Sequence, residues 1–279
     1  MGTATVDPVL LRQQIFEHVL ATRGPKYRWF LRYLHLFRLI SATPARADFL
    51  ESYYSLMRYV DDVVDGDAAL PGQYPDAEVY LLQKIAFADH PVRPADSVEQ
   101  LMAYCFQLAG SFGETFRTET ADILQSLLFD ARRRGKNQVF SREELMAHYH
   151  QLDIRGTVRA TLRVFAEDPE QYTLLEPLGM ASRFFYDLRD LQDDLRQGFI
   201  NIPAEDLQAL GLCATDLLQP QHPGLRQWRR LQATRGLALL RQHELNLPSG
   251  HFRRSTRWTF RLVYANPARR YFNLVLKET

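Results

Sequence analysis

Apolar residues recur at i, i+3, i+4 and i+7 through "ARADFLESYYSLMRYVDDVVD", "SVEQLMAYCFQLAGSFGETF", "TADILQSLLFDARRRG", "SREELMAHYHQLDIRGTVRATLRVFAED" and "LLEPLGMASRFFYDLRDLQDDL". That spacing is the signature of amphipathic helices, and strand-like alternation is almost absent. Breakers separate the runs at "LPGQYPD", "DHPVRPAD", "AEDPEQY" and "QPQHPG", and Ser141 with Glu144 sets a capping-box pattern ahead of "LMAHYH". The pattern predicts about eight to ten helices joined by short loops. No repeat, low-complexity segment or long polar linker interrupts it, so the expectation is one all-α domain over residues 1–279. The basic turn "ARRRGKNQ", residues 131–138, reads as a solvated helix C-terminus.

Composition narrows the classes. With 279 residues, 46 % of them hydrophobic and 12 % aromatic, the chain can bury a full core. A net charge of +1 gives no reason to expect a nucleic-acid partner, although arginines gather toward the C-terminus. Cys105 and Cys213 stand without CxxC or Cys/His spacing, which argues for a reducing, cytoplasmic setting and against a structural zinc. The first apolar run is broken by Arg12, Gln13, Gln14 and Glu17, unlike a signal peptide. No stretch reaches the roughly 18 apolar residues of a transmembrane helix. A hydrophobic substrate would still allow peripheral membrane contact.

The unusual chemistry lies in two helices. "YYSLMRYVDDVVDGD" carries Asp61, Asp62, Asp65 and Asp67 near a helix C-terminus, where the dipole is already negative. "FFYDLRDLQDDLRQG" carries Asp187, Asp190, Asp193 and Asp194. Asp187, Asp190 and Asp194 fall within about 60° of one another on the helical wheel, and Asp61 lies about 40° from Asp65. Each helix therefore presents an acidic stripe. If two such stripes face each other, several Mg²⁺ ions fit between them with coordination positions open to phosphate oxygens. Arg58 and Arg189 stand beside the stripes and suit bidentate phosphate contact.

"YSLMRYVDDVVD" resembles the first aspartate-rich motif of the squalene and phytoene synthases, and "YDLRDLQDDLRQGFINIP" resembles their second, NxxRDxxEDxxxGRxYLP. Between them "RGTVRATL", residues 155–162, is similar to the family's AGTVGxxL segment, and Arg270 in "ARRYF" matches a diphosphate-binding arginine. The resemblance implies the all-helical class I isoprenoid synthase fold, a helical bundle with a central active-site cavity. It also implies ionisation of an allylic prenyl diphosphate with two or three Mg²⁺ ions. Carried over, Asp61, Asp62, Asp65, Asp190 and Asp194 would bind metal, with Asp187 compensating for Tyr186 at the family's asparagine position. Tyr54, Arg58, Arg183, Arg189 and Arg270 would contact the diphosphate. Phe184, Phe185, Tyr53 and Tyr59 offer aromatic faces to a cation.

Departures from the pattern direct the choice of acceptor. Phe199 and Asn201 replace the arginine and tyrosine of GRxYLP, residues tied to head-to-head chemistry. Arg155 and Arg159 replace small residues of a segment that lines the family's hydrocarbon channel, and an unpaired charge there is costly. Upstream, Lys26, Arg28, Arg32 and Arg38 in "KYRWFLRYLHLFR" offer phosphate contacts. The leading expectation is transfer of one prenyl group to a non-isoprenoid, aromatic acceptor such as an indole or carbazole, in a pocket of His150, Arg155, Arg159 and Phe185. Asp153, His150 and Tyr186 are then candidates to remove the proton. The alternatives are head-to-head condensation of two prenyl diphosphates, a terpene cyclase, or a non-catalytic subunit that partners an active synthase; for Arg155 and Arg159 themselves the alternative is pairing with Asp or Glu on neighbouring helices.

Overall fold

The structure, a computed structural model, describes residues 7–22, 32, 34–35, 37–39, 41 and 43–278. It is all-α, with no strand among the described residues and one isolated parallel bridge, Gln138 to Phe199. The chain divides into two compact units. The first runs to Ala131 and takes in Arg163–Ala166; the second comprises Arg132–Leu162 and Glu167–Thr279.

The first unit holds α1 (Pro8–Thr22), α2 (Pro44–Asp65), α3 (Ala77–Asp89), α4 (Ser97–Ser111) and most of α5 (Arg117–Arg133). Pro44 opens α2, where its missing N–H costs nothing, and Gly66 at φ 74° ends it in the left-handed conformation that glycine adopts without strain. The apolar face of α2 packs on α1 and α4. Phe49 stacks with Tyr53 at 5.0 Å and lies 4.1 Å from Phe116, so this core is largely aromatic. Asp76 and Asp96 cap α3 and α4 by accepting from Val79 and Glu99 N–H groups. Lys84, wholly buried, donates to Glu99 at 2.7 Å, to the Tyr74 hydroxyl at 2.9 Å and to Asp96, and so staples α3 to α4.

The second unit holds α6 (Arg142–Tyr149), a π-helical stretch (His150–Val158), α8 (Tyr172–Arg196), α11 (Pro223–Asn246) and, as far as Leu162, α7 (Arg159–Val164), which leads out of the π-helical stretch. The short α9 (Ala204–Leu210) and α10 (Ala214–Leu217) precede α11. After it, α12 (Arg254–Thr259) runs through a second π stretch (Phe260–Ala265) into α13 (Asn266–Lys277). The expected capping box forms: Ser141 accepts from Glu144 N–H while Glu144 accepts from Ser141 N–H. Glycines set the helix spacing. A Cβ on Gly179 would stand 2.3 Å from Ile154, and one on Gly236 would stand 2.3 Å from Phe272, so the Ile154 side chain rests on the α8 backbone and the Phe272 ring on the α11 backbone. Asp206 locks α6, α9 and α11 together by accepting from Arg142, Trp228 and both terminal nitrogens of Arg235.

Two segments differ from the sequence expectations. The basic turn at residues 131–138 is not solvated throughout. Gly135 N–H donates to Gln197 at 2.9 Å, Asn137 N–H donates to Gly198 at 3.1 Å, and Arg133 is buried 5.0 Å from the Phe199 ring. Arg38, read as a candidate phosphate contact, pairs with Asp48 at 2.6 Å and with Glu51 at 3.2 Å. Arg32 is exposed, and Lys26 and Arg28 lie outside the described residues.

Candidate active site

In the first unit the carboxylates of α2 gather around one guanidinium. Arg58 donates through Nε to Asp62 at 2.8 Å and stands 2.6 Å from Asp61 and 3.9 Å from Asp65. These contacts follow from spacing alone, since residues three and four apart share a helix face. Asp62 is only 1 % exposed and pairs with Arg58 inside the fold. Asp61 and Asp65 are half-buried. Burial, then the Asp61 charge, push the Asp65 pKa up to about 8; Arg58 opposes the shift, and Asp130 and Asp67 add to it. Asp130 is a contributor that motif reading missed, because it comes from α5. Tyr54 is half-buried on α2.

In the second unit α8 carries a comparable arrangement. Burial pushes Asp194 up to about 7, with Arg183 opposing and Asp187 and Asp190 reinforcing. Asn201 donates to Asp194 at 2.9 Å, which gives this departure from the family's tyrosine a defined contact. Arg189 grips Asp190 with two bonds of 2.7 and 2.6 Å and covers Tyr186 at 4.7 Å. Phe185 packs edge-on against Tyr271 at 5.3 Å, and the Tyr271 hydroxyl donates to the Leu188 carbonyl.

Asp187 differs most from its expected role. It is 0 % exposed, accepts from Arg183 Nε at 2.9 Å, and lies beside buried Tyr149, whose ring sits 4.7 Å under the Arg183 guanidinium. Its carboxyl is shifted upward by burial against the pull of Arg183. A carboxylate so enclosed balances charge within the fold, and Arg183 is the donor that pairs with it. Arg133, which sequence reading left in a solvated turn, is close enough to lower the pKa values of both Asp187 and Asp194. The only sequence signal for it was the run "ARRRG".

The acceptor-side residues have different partners and exposure. Arg159 forms an ion pair with Glu170 and lies 5.8 Å from the Tyr172 ring, so it takes the paired alternative and is not a bare charge lining a channel. Arg155 is exposed, and Asp153 is half-buried. His150 lies 4.0 Å from Glu176, whereas His148 is buried, in keeping with their different helix faces. Arg270 is exposed on α13 and has no ion-pair partner among the described residues. A groove of about 350 Å³ opens between α6, α8 and α11, lined by Met146, Met180, Phe184 and Leu239.

Among the described residues, no three His, Cys, Asp or Glu side chains stand close enough to hold a metal ion by themselves. The donor chemistry nevertheless suits Mg²⁺, which keeps several waters and typically binds one or two carboxylates together with substrate phosphates. Asp65 and Asp194 are desolvated and crowded by like charge, a condition that a divalent cation relieves.

Residues 38–277 match the squalene/phytoene synthase family. The structure is similar to squalene synthase HpnC from Alicyclobacillus acidocaldarius, with TM-score 0.68, 18 % identity and coverage of 96 % of this chain and 95 % of that one. It is also similar to a dehydrosqualene synthase in complex with ligand, with TM-score 0.61, 17 % identity and coverage of 97 % and 87 %. Among curated proteins, no sequence matches this chain. The structural likenesses establish the all-α synthase fold, and the family match across residues 38–277 shows that the chain belongs to the squalene/phytoene synthases, a family of prenyl-transferring enzymes.

Proposed function

We propose that this protein ionises an allylic prenyl diphosphate with Mg²⁺ and joins the prenyl group to a second isoprenoid in a head-to-head condensation. The observation that carries the reading is the pair of desolvated carboxylates, Asp65 at about 8 and Asp194 at about 7, each within an acidic stripe of its helix. Bound Mg²⁺ supplies positive charge to the departing diphosphate. In this reading Asp61 and Asp65 would hold it on α2, and Asp190 and Asp194 would hold it on α8, while Asp62 and Asp187 remain paired with arginines. Arg58 and Arg189, which donate to these carboxylates, would offer the same donors to diphosphate oxygens, and Tyr54 and Arg270 would add contacts. Aromatic side chains such as Phe185 and Tyr186 shelter the allyl cation from water and offer it their ring faces.

The choice of acceptor follows from Arg159. Its ion pair with Glu170 weakens the case for a polar channel, because one of the two arginines on which that case rests is paired. A second reading, transfer to an aromatic acceptor, draws on Phe199 and Asn201: both sit where the family's head-to-head residues stand, and Asn201 is committed to Asp194. Asp153, His150 or Tyr186 would then take the ring proton.

Product mass analysis separates the readings. Purified protein with Mg²⁺ and farnesyl or geranylgeranyl diphosphate alone is expected to give a product containing two prenyl units. Turnover only after an indole or carbazole is added would establish the aromatic reading instead. A cyclic product from a single diphosphate would exclude both.

A further inference from the structure

From Leu245 to Lys277 the chain contains no aspartate or glutamate, but it contains six arginines and Lys277. The whole molecule is nearly neutral at +1, so this is a local field of one sign. The helix formed by α12 and its π continuation sorts the segment into two faces. Thr256, Thr259, Phe260 and Ala265 are buried, whereas Arg254, Arg257, Trp258, Arg261 and Leu262 are exposed. The exposed positions recur every three to four residues, so they form one outward stripe. Trp258 is 61 % exposed and Leu262 37 %, with Arg254, Arg257 and Arg261 flanking them.

Ion pairs do not compensate these arginines among the described residues. Arg254 and Arg261 have no ion-pair partner among the described residues, and Arg257 donates only to the carbonyls of Phe252 and Gly250. Carbonyls orient the Arg257 guanidinium without neutralising it. An indole presented to solvent among uncompensated arginines matches the boundary between lipid headgroups and acyl chains. The ring system settles at that depth, and guanidinium groups bind phosphate oxygens there. Among the described residues no helix is long and apolar enough to cross a membrane, so such contact would be superficial.

We propose that the α12 face, with Trp258 and Leu262 as apolar anchors and Arg254, Arg257 and Arg261 as phosphate contacts, docks this protein on the surface of an anionic lipid bilayer. Charge complementarity selects the occupant: Arg254, Arg257 and Arg261, none of them ion-paired among the described residues, attract an anionic surface, and the apolar pair between them distinguishes a bilayer from a nucleic acid. The assignment stands independently of the proposed reaction, because docking is read without turnover.

The test is co-sedimentation of the full chain with phosphatidylcholine vesicles, with and without phosphatidylglycerol, at low and high salt. Binding is expected only to the phosphatidylglycerol vesicles and is expected to weaken with salt. Removing two charges in an Arg254→Gln/Arg261→Gln variant should weaken it about 30-fold, at roughly 1 kcal/mol per basic residue. Trp258→Ala should also weaken binding, and native Trp258 emission should shift to shorter wavelength on docking. Both variants change exposed side chains, and circular dichroism checks that they fold. Inorganic pyrophosphate should not displace the protein; complete displacement would identify a free-phosphate site and overturn the proposal. Absence of vesicle binding, equal binding by the variants, or tighter binding to nucleic acid than to vesicles would overturn it as well.

Discussion

If Asp187 balances charge inside the fold, removing its partner should unfold the protein more than removing both. In Arg183→Met, the carboxylate of Asp187 stays at 0 % exposure and loses its 2.9 Å donor. Breaking one side of a buried ion pair costs about 3–5 kcal/mol, because the remaining charge stays desolvated. For a protein of this size each kcal/mol lowers Tm by about 2–4 °C, so a loss of about 6–20 °C is expected. Arg183→Met/Asp187→Leu removes both charges and should recover most of that loss. The pH dependence has a definite sign. The Asp187 carboxyl is already shifted above its usual range by burial, and without Arg183 it rises further. A raised carboxyl contributes stability below its unfolded value that is lost as pH rises through the folded value. The deficit of Arg183→Met relative to the native protein should therefore shrink toward pH 4 and be fully expressed at neutral pH. Urea unfolding followed by far-UV circular dichroism reads this as a change in midpoint at constant slope. A single-variant loss under about 1 kcal/mol, or a double variant no more stable than the single, would refute the charge-balancing role.

Mg²⁺ binding should release protons near neutral pH, since Asp65 at about 8 and Asp194 at about 7 must ionise to act as ligands. Apparent affinity should rise with pH through that window, and calorimetry in buffers of different ionisation enthalpy measures the proton count; none released would contradict the assignment. Without metal, both raised groups contribute stability that is lost as pH climbs through about 7 and 8. Lys84→Met leaves Asp96 and Glu99 without their buried cation and should cost about 3–5 kcal/mol; a loss below about 1 kcal/mol in thermal unfolding would show that the staple is dispensable. Gly236→Ala sets a methyl 2.3 Å from Phe272 and should cost about 1–3 kcal/mol, relieved by Phe272→Leu; an unchanged Tm would mean that α11 and α13 separate freely.

The acidic helices were readable because their chemistry is local. Arg58 and its aspartates share one helix, so spacing alone predicts their contact, and the Ser141–Glu144 box needs only three residues of separation. What escaped was decided by tertiary packing. Nothing in "RGTVRATL" shows that Arg159 meets Glu170, eleven residues on and past a breaker, so a paired arginine looked like a channel lining. Arg133 looked solvated because burying a guanidinium required Phe199 and the carboxylates of α8, which lie about sixty residues away in sequence. Helical periodicity placed Asp187 on the same stripe as Asp190 and Asp194. It could not show that Tyr149 and Arg183 enclose it.

The proposed reaction is cleavage of an allylic diphosphate, with Asp65 on α2 and Asp194 on α8 each serving as a Mg²⁺ ligand on its own helix. Its most direct test is continuous pyrophosphate release from farnesyl diphosphate, with and without Mg²⁺, by the native protein and by Asp65→Asn, Asp194→Asn and Asp187→Asn. The account predicts Mg²⁺-dependent release by the native protein, a loss of about a hundredfold or more in the Asp65 and Asp194 variants with folding retained, and a much smaller loss in Asp187→Asn. Native-like release by Asp65→Asn or Asp194→Asn, or release that ignores Mg²⁺, would contradict it.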